Sequence, residues 1–356
     1  MFVKVVTDSI SVPGNASRSF ATEQASQGQP RGRIQFGWDP VDPYLQNVQF
    51  NSKIINYDSS YCTSVFNLSG GGIPTLSYFP LVKQLLGVSV RVTDVGCGQG
   101  EFVNAIRDQG VDAIGFDPVL HHENEYLFAR YWDAKDSPQT DLIVMRCVLP
   151  HIPQPWKFLD QIATYQKSAM ILIEFQKLEW ILRNKCWYQF CHDHVNQFAM
   201  FDFQSRYEVL LQGSFANNEW GWVLFSPNSR RRVTPNVCAQ ELEIQELFDA
   251  RTQFLLDLKR SNRRRFIWGA AAKGAVLSDA CHQVGGRPTK AIDANPHKWS
   301  RFLEGSGIQV IAPAQCGEIL TADAEVWVAN PNHLTDVAKF LEDFSVEVTT
   351  PIMAAL

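Results

Sequence analysis

The ten residues TDVGCGQGEF, Thr93 to Phe102, constrain this chain more than any other stretch. An acid, Asp94, stands near the end of the short apolar run VRVTDVG, which reads as a buried strand. Gly96, Gly98 and Gly100 follow at alternate positions, and a helix pattern, EFVNAIRDQG, begins at once. Glycines there permit positive φ and let a ligand approach the backbone closely. The next strand pattern, DAIGFDP, closes on Asp117, 23 positions after Asp94, where a carboxylate is placed to accept hydrogen bonds from ribose hydroxyls.

A dinucleotide site prefers the spacing GxGxxG, with a helix N-terminus facing a pyrophosphate. Here the spacing is GxGxG with an acid beside it, which suits a ligand carrying an ammonium group and no phosphate at that end. S-adenosylmethionine (SAM) is such a ligand. The bland reading is an ordinary glycine-rich strand–turn–helix connection; the two acids weigh against it.

The rest of the chain supports an α/β fold. Helix-spaced IPTLSYFPLVKQLLG precedes the loop, and EYLFARYW (125–132), TDLIVMRCVL and AMILIEF continue the strand series, with PWKFLDQIATYQ as a helix between the last two. Strands alternating with helices imply a parallel sheet. Residues 205–225 read as a hairpin turning at Asn217-Asn218. AQELEIQELFDARTQFLLDLKR (239–260) reads as a long amphipathic helix leading to a second α/β unit. The expected organisation is an N-terminal segment over 1–72, a first domain over 73–235 and a second over 236–356. Within the first segment NASRSFATEQASQGQPRGR is polar and small and reads as loosely folded.

Bulk composition excludes several classes. The chain has 356 residues, 45% hydrophobic, with a formal net charge of −5, so no basic excess points to nucleic acid or a membrane surface. No apolar run approaches the roughly 20 residues needed to span a bilayer, and the N-terminus lacks the apolar core of a secretory signal. The eight cysteines are scattered without a CxxC pair, which argues for buried thiols in a reducing cytoplasm and against a disulfide scaffold. Oligomeric state is not legible.

The stretch from about 86 to 230 resembles the class I SAM-dependent methyltransferases: TDVGCGQGEF is similar to their first motif, GFDP to their acidic strand end, and DLIVMRCVLPHIPQPWKFL to the segment many of them write as HVLEHIPDP. The resemblance implies a Rossmann-like domain in which Asp94, Gly96 and Gly98 line the methionine end, Asp117 meets the ribose, Trp132 lies near the adenine and Arg146 stands close to the methionine moiety. His151 is expected to be a capping or packing residue.

A narrower resemblance runs over roughly 45–345. IEFQKLEWILRNKCWYQFCHDHVNQFAMF is similar to the region that sugar C-methyltransferases write as Y-H-E-H-x-x-Y-F, and FIWGAAAKGAVLSDACHQVGGRPTKAIDANPHKW to their C-terminal Rossmann-like domain. The family methylates a carbon beside a carbonyl in nucleotide-linked keto-sugars: a base removes a proton and the enolate attacks the SAM methyl. The resemblance makes His194 the base and Asp193 its orienting partner, with His192 in support. An imidazole suits proton abstraction near neutral pH. Two departures stand out. Cys191 occupies the tyrosine position, so Tyr188 or Tyr61 replaces the phenol or the substrate differs. And residues 1–61 hold no cysteine or histidine, so the four-cysteine zinc module that usually begins the family is not expected, nor any metal elsewhere. The GAAAKG loop either binds the substrate's nucleotide or phosphate through Lys273 and backbone N–H groups, or only closes the cleft; Asn295 lines the same region. SAM-dependent O- or N-methylation of another small molecule, and a binding protein with a decayed site, are the competing readings; the intact acid-and-glycine loop argues against the latter. Two histidines at i and i+2 share a face only in an extended strand, and no third or fourth metal ligand is apparent beside them.

Overall fold

Seven strands form the central sheet, in the order Tyr207–Phe215, Trp220–Arg230, Met170–Gln176, Leu142–Arg146, Arg91–Val95, Asp112–Phe116, Leu127–Phe128. The last five run parallel and the first two are antiparallel at one edge. The structure is a computed structural model and describes residues 4–16, 18–38, 44–55, 73–87, 89–231 and 238–351.

The central strands read as unbroken apolar runs because both faces are covered. Leu142 and Val144 face a cluster with Phe79, Val82, Phe102 and Ile106. Ile143 and Met145, at the alternate positions, face Trp156, Leu159 and Ile162 of the helix Pro155–Tyr165. The expected hairpin is present, its reversal carried by Ala216, Asn217 and Asn218 at φ of 49°, 52° and 65°; asparagine tolerates that left-handed region better than most residues. The strand expected over 125–132 shrinks to Leu127–Phe128, because Asn124 bonds the N–H groups of Tyr126 and Leu127 with its side chain and turns the chain.

The helix Cys238–Lys259 leads to a second sheet, ordered Val310–Ile311, Lys290–Ile292, Arg265–Trp268, Glu325–Val328, Glu347–Thr349 and parallel throughout. This is a second Rossmann-like unit.

The stretch that reads as loosely folded carries defined elements instead. Ser19–Phe20 pairs with Phe302–Leu303 of the second unit, Glu23–Gln27 is a helical turn capped by Thr22, and Arg31–Ile34 pairs with Ile10–Pro13. Its order comes from contacts made far along the chain: the Arg31 guanidinium meets the Asp279 carboxylate through two bonds of 2.8 and 2.6 Å, a fork-to-fork pairing. Composition alone does not register such partners. A further small sheet joins Lys4–Val5, Phe36–Trp38, Leu45–Asn47 and Asn196–Gln197. The N-terminal strands thus pair directly with the segment that follows the two histidines.

Candidate active site

The sheet brings Asp94, Asp117, Arg146 and Glu174 to the carboxyl ends of adjacent parallel strands, where ligands of such sheets bind. Gly96, Gly98 and Gly100 have φ of 72°, 62° and 86°, which is why glycine is needed in that turn. Asp117 accepts from the N–H of Gly98 at 2.9 Å and of Val119 at 2.8 Å, so it shapes the loop. Burial pushes its carboxyl above the ordinary value, partly offset by those two N–H groups. Asp94 is fully buried; its Oδ2 accepts from Arg146 Nη2 at 2.9 Å, while Oδ1 has no hydrogen-bond partner among the described residues. Burial raises the Asp94 carboxyl and Arg146 opposes the rise.

Sequence reasoning missed the layer beneath. Glu174 pairs with Arg146 across the sheet and accepts from Thr75 Oγ1 at 2.5 Å and from the Tyr78 hydroxyl. Tyr78 stacks on Trp222 at 4.3 Å. The helix Thr75–Leu86 is thereby strapped to the strand Met170–Gln176 beside Arg146. The available signal was one acid inside the apolar run MILIEF, since a buried charge is almost always partnered.

Trp132 packs in the core against Phe158, ring centroids 5.9 Å apart. Only 8% of it is exposed, so it presents little surface to an adenine. Tyr61 lies outside the described residues.

Cys191 to His194 form a tight turn, with His194 N–H bonding Cys191 O at 3.3 Å. The segment is a turn and not an extended strand, so His192 and His194 take different faces. A turn brings its first and fourth residues together and sends the second elsewhere. Cys191 Sγ, an Asp193 carboxylate oxygen and a His194 ring nitrogen lie within 4.8 Å of one another, so a third donor does stand beside the histidine. His192 points away: Nδ1 donates to Arg33 O at 2.9 Å and Nε2 accepts from Asn51 N–H at 3.1 Å. Both ring nitrogens are used by the N-terminal segment, by the strand Arg31–Ile34 and the turn that Asn51 caps, which leaves His192 a fastener there, not a supporting group beside His194.

His151, expected to cap or pack, joins the cluster. Its Nδ1 donates to Asp193 O at 2.9 Å and lies 3.9 Å from Asp193 Oδ2, and its ring crosses that of His194 at 4.7 Å. No described residue hydrogen-bonds the His194 ring. Burial, reinforced by His151, pushes the His194 pKa down to about 4, although Asp193 pulls it upward; the imidazole is neutral at pH 7. Burial would raise Asp193, but His194, His151 and the Cys191 thiol outweigh it and hold the carboxyl below its ordinary value. Burial and the Asp193 charge push the Cys191 thiol well up.

Residues 44–207 match a family model described as a methyltransferase domain, and residues 239–340 one described as a C-methyltransferase C-terminal domain. The chain is a SAM-dependent methyltransferase. No curated protein sequence matches it. Among solved structures it is similar to a Pyrococcus horikoshii protein (14% identity, 47% of this chain and 93% of that one, TM-score 0.36). It is also similar to the magnesium protoporphyrin IX methyltransferase of Synechocystis (16%, 42% and 78%, TM-score 0.31). At these values neither likeness carries further weight.

The residues present fit the cofactor. The unpartnered, buried Asp94 Oδ1 is an acceptor suited to an ammonium group, and the left-handed glycine turn leaves backbone unshielded by side chains. Asp94 and the loop would hold the methionine end and Asp117 the ribose.

In the second unit of this methyltransferase, Lys273 does not stand free for a phosphate. Its ammonium group is ion-paired with the buried Glu219 and lies 5.1 Å from the Trp180 ring centre. Asn295 accepts from His297 N–H at 3.0 Å and caps a short turn. Asp293 repeats the geometry of Asp117: it accepts from the loop N–H of Ala270 at 2.6 Å and from Asn295 N–H, two residues on, at 2.8 Å. No helix among the described residues is long and apolar enough to cross a membrane.

Proposed function

We propose that this methyltransferase moves a methyl group to a carbon next to a carbonyl in a small molecule of the nucleotide-linked keto-sugar type, with His194 as the base. The observation that carries the reading is the His194 imidazole: neutral at pH 7, without a hydrogen-bond partner among the described residues, beside an anionic Asp193. A neutral imidazole has a lone pair to accept the substrate's α-proton, and the adjacent carboxylate stabilises the imidazolium that results. When bound, SAM supplies the electrophilic methyl group. Asp94, Gly96, Gly98 and Asp117 position it, and Arg146 holds Asp94 in place. Trp132 supports the adenine side through packing behind it. The second unit, with Asp293, Asn295 and the GAAAKG loop, carries the acceptor's distal part; its match to a C-methyltransferase C-terminal domain supports this. The second reading, O- or N-methylation of another small molecule, is favoured by Cys191, because a thiol donates weakly to an enolate oxygen where a phenol would donate well.

The test is exchange of an α-proton of a nucleotide-linked keto-sugar in deuterated water. Exchange that falls in His194→Gln supports the base assignment. Undiminished exchange in that variant sinks it, and a methylated oxygen or nitrogen in the product favours the second reading.

A further inference from the structure

The departure that most needs a physical account is Cys191. Its thiol is buried, 2% exposed, in a turn that also carries the Asp193 carboxylate and the His194 imidazole. Sulfur, oxygen and nitrogen donors converge from four consecutive residues, and each pair of donor atoms is within 4.8 Å. Metal–ligand bonds of roughly 2.0–2.3 Å in a tetrahedron put donor atoms about 3.3–3.8 Å apart. A contraction of about 1 Å, through side-chain torsions, therefore closes the set. The donor types select a borderline ion such as Zn²⁺ over hard cations, which take oxygen ligands. His151 adds the outer support that metal sites use: its Nδ1–H is tied to Asp193 O, which directs its Nε2 lone pair elsewhere and fixes the turn.

We propose that Cys191, Asp193 and His194 form a site for a divalent transition-metal ion of the zinc class. Binding exchanges a proton for the ion at sulfur: the Cys191 S–H bond breaks, an S–metal bond forms, and one proton is released to solvent. No oxidation state changes. The fourth position is left to an oxygen of water or substrate. The ion also takes the His194 lone pair that proton abstraction needs. Metal binding and the base role are therefore mutually exclusive, and zinc is an inhibitor of a reaction that runs through His194. The metal site does not itself rest on the base assignment.

The test is titration of the metal-free full chain with Co²⁺ as an optical stand-in, followed by Zn²⁺. The expected result is one Co²⁺ per chain, with the intense visible bands of a tetrahedral site and a thiolate-to-cobalt charge-transfer band. Zn²⁺ is expected to displace it one for one with a dissociation constant at or below ~1 μM. Cys191→Ser abolishes the charge-transfer band, and His194→Gln weakens binding at least about tenfold, while Cys316→Ser changes neither. SAM binding by calorimetry checks that each variant is folded, and Asp193→Asn is a second probe should Cys191→Ser not fold. A charge-transfer band that survives Cys191→Ser, or no stoichiometric Co²⁺, overturns the site. α-Proton exchange separates the two assignments. A chain that binds zinc through Cys191 yet exchanges normally in saturating zinc refutes the base assignment and leaves the metal site standing. A chain that binds zinc through Cys191 yet exchanges no proton under metal-free conditions refutes only the base assignment.

Discussion

His151 Nδ1 donates to the backbone carbonyl of Asp193 at 2.9 Å. A side chain from the loop after a central strand thereby fixes a turn 42 positions later. A neutral hydrogen bond of this kind contributes about 1 kcal/mol, roughly fivefold in the population of the formed turn. His151→Phe keeps a ring against His194 and removes the donor. It is expected to lower α-proton exchange by roughly that fivefold while leaving SAM affinity unchanged; an equal loss of SAM affinity would show that the two ends of the site are not separate.

Asp94 bonds Arg146 on the neighbouring strand, and its Oδ1 has no hydrogen-bond partner among the described residues. Asp94→Asn preserves shape and removes the charge. A charge-assisted bond is worth about 1.5–3 kcal/mol, so SAM affinity measured by calorimetry is expected to fall roughly 10- to 100-fold. Asn at this position with wild-type affinity would mean that the ammonium is held elsewhere.

Glu304 sets a pH dependence of stability. It is buried, its Oε1 accepts from Asn15 N–H at 3.0 Å, and Oε2 has no partner among the described residues. Burial raises its pKa from 4.5 to about 7, with the Asn15 N–H and Arg18 opposing. The folded chain therefore binds the proton more tightly than the unfolded one. The resulting stabilisation is complete below about pH 4.5 and is lost as pH rises through about 7. Thermal melts between pH 5 and 8 should show this decline. In Glu304→Gln the curve should flatten across that window; an unchanged slope would place the titrating group elsewhere.

Gly32 lies against the His192 ring so closely that an added Cβ would stand 2.3 Å from His192 Cγ. Gly32→Ala forces the N-terminal hairpin off the histidine or rotates the ring from its two backbone partners. Overpacking of this kind costs about 1–3 kcal/mol. The expected outcome is faster limited proteolysis within the first 55 residues with little change in SAM affinity. Wild-type protection would mean the ring can move without cost.

Both Rossmann-like units were legible because their signals are local. Strand runs buried on two faces, glycines at positive φ and an acid 23 residues on are all written in consecutive letters. In the CHDH segment the residue types were plain, but the face each side chain takes depends on a turn closed by one backbone bond and held by His151, and neither leaves a periodic trace. The same holds for Lys273, whose loop invites a phosphate until Glu219, on the hairpin, is seen to bind it. The order of residues 18–34 was hidden for the same reason, because Asp279 and Phe302 supply partners from the far end of the chain.

Glu219 decides how the two units hold together. It ends the hairpin turn, with its N–H on Ala216 O at 3.0 Å. Its buried carboxylate accepts from Gln176 Nε2 at 3.1 Å in the first unit, and in the second from the side-chain amides of Asn330 and Asn332, each at 2.9 Å, and from Lys273. Replacing a buried, fully bonded ion pair by apolar groups is often tolerated, but removing one partner strands the other charge at a cost of about 3–5 kcal/mol. Glu219→Ala should therefore lower the melting temperature by on the order of 5 °C or more. The pair Glu219→Gln with Lys273→Met should lower it less, because no charge is left buried. SAM affinity should stay near wild type in both, since Asp94 and Asp117 do not touch this clasp. If Lys273 instead served a substrate phosphate, Lys273→Met alone would raise the acceptor KM with little loss of melting temperature, and Glu219→Ala would leave stability nearly unchanged.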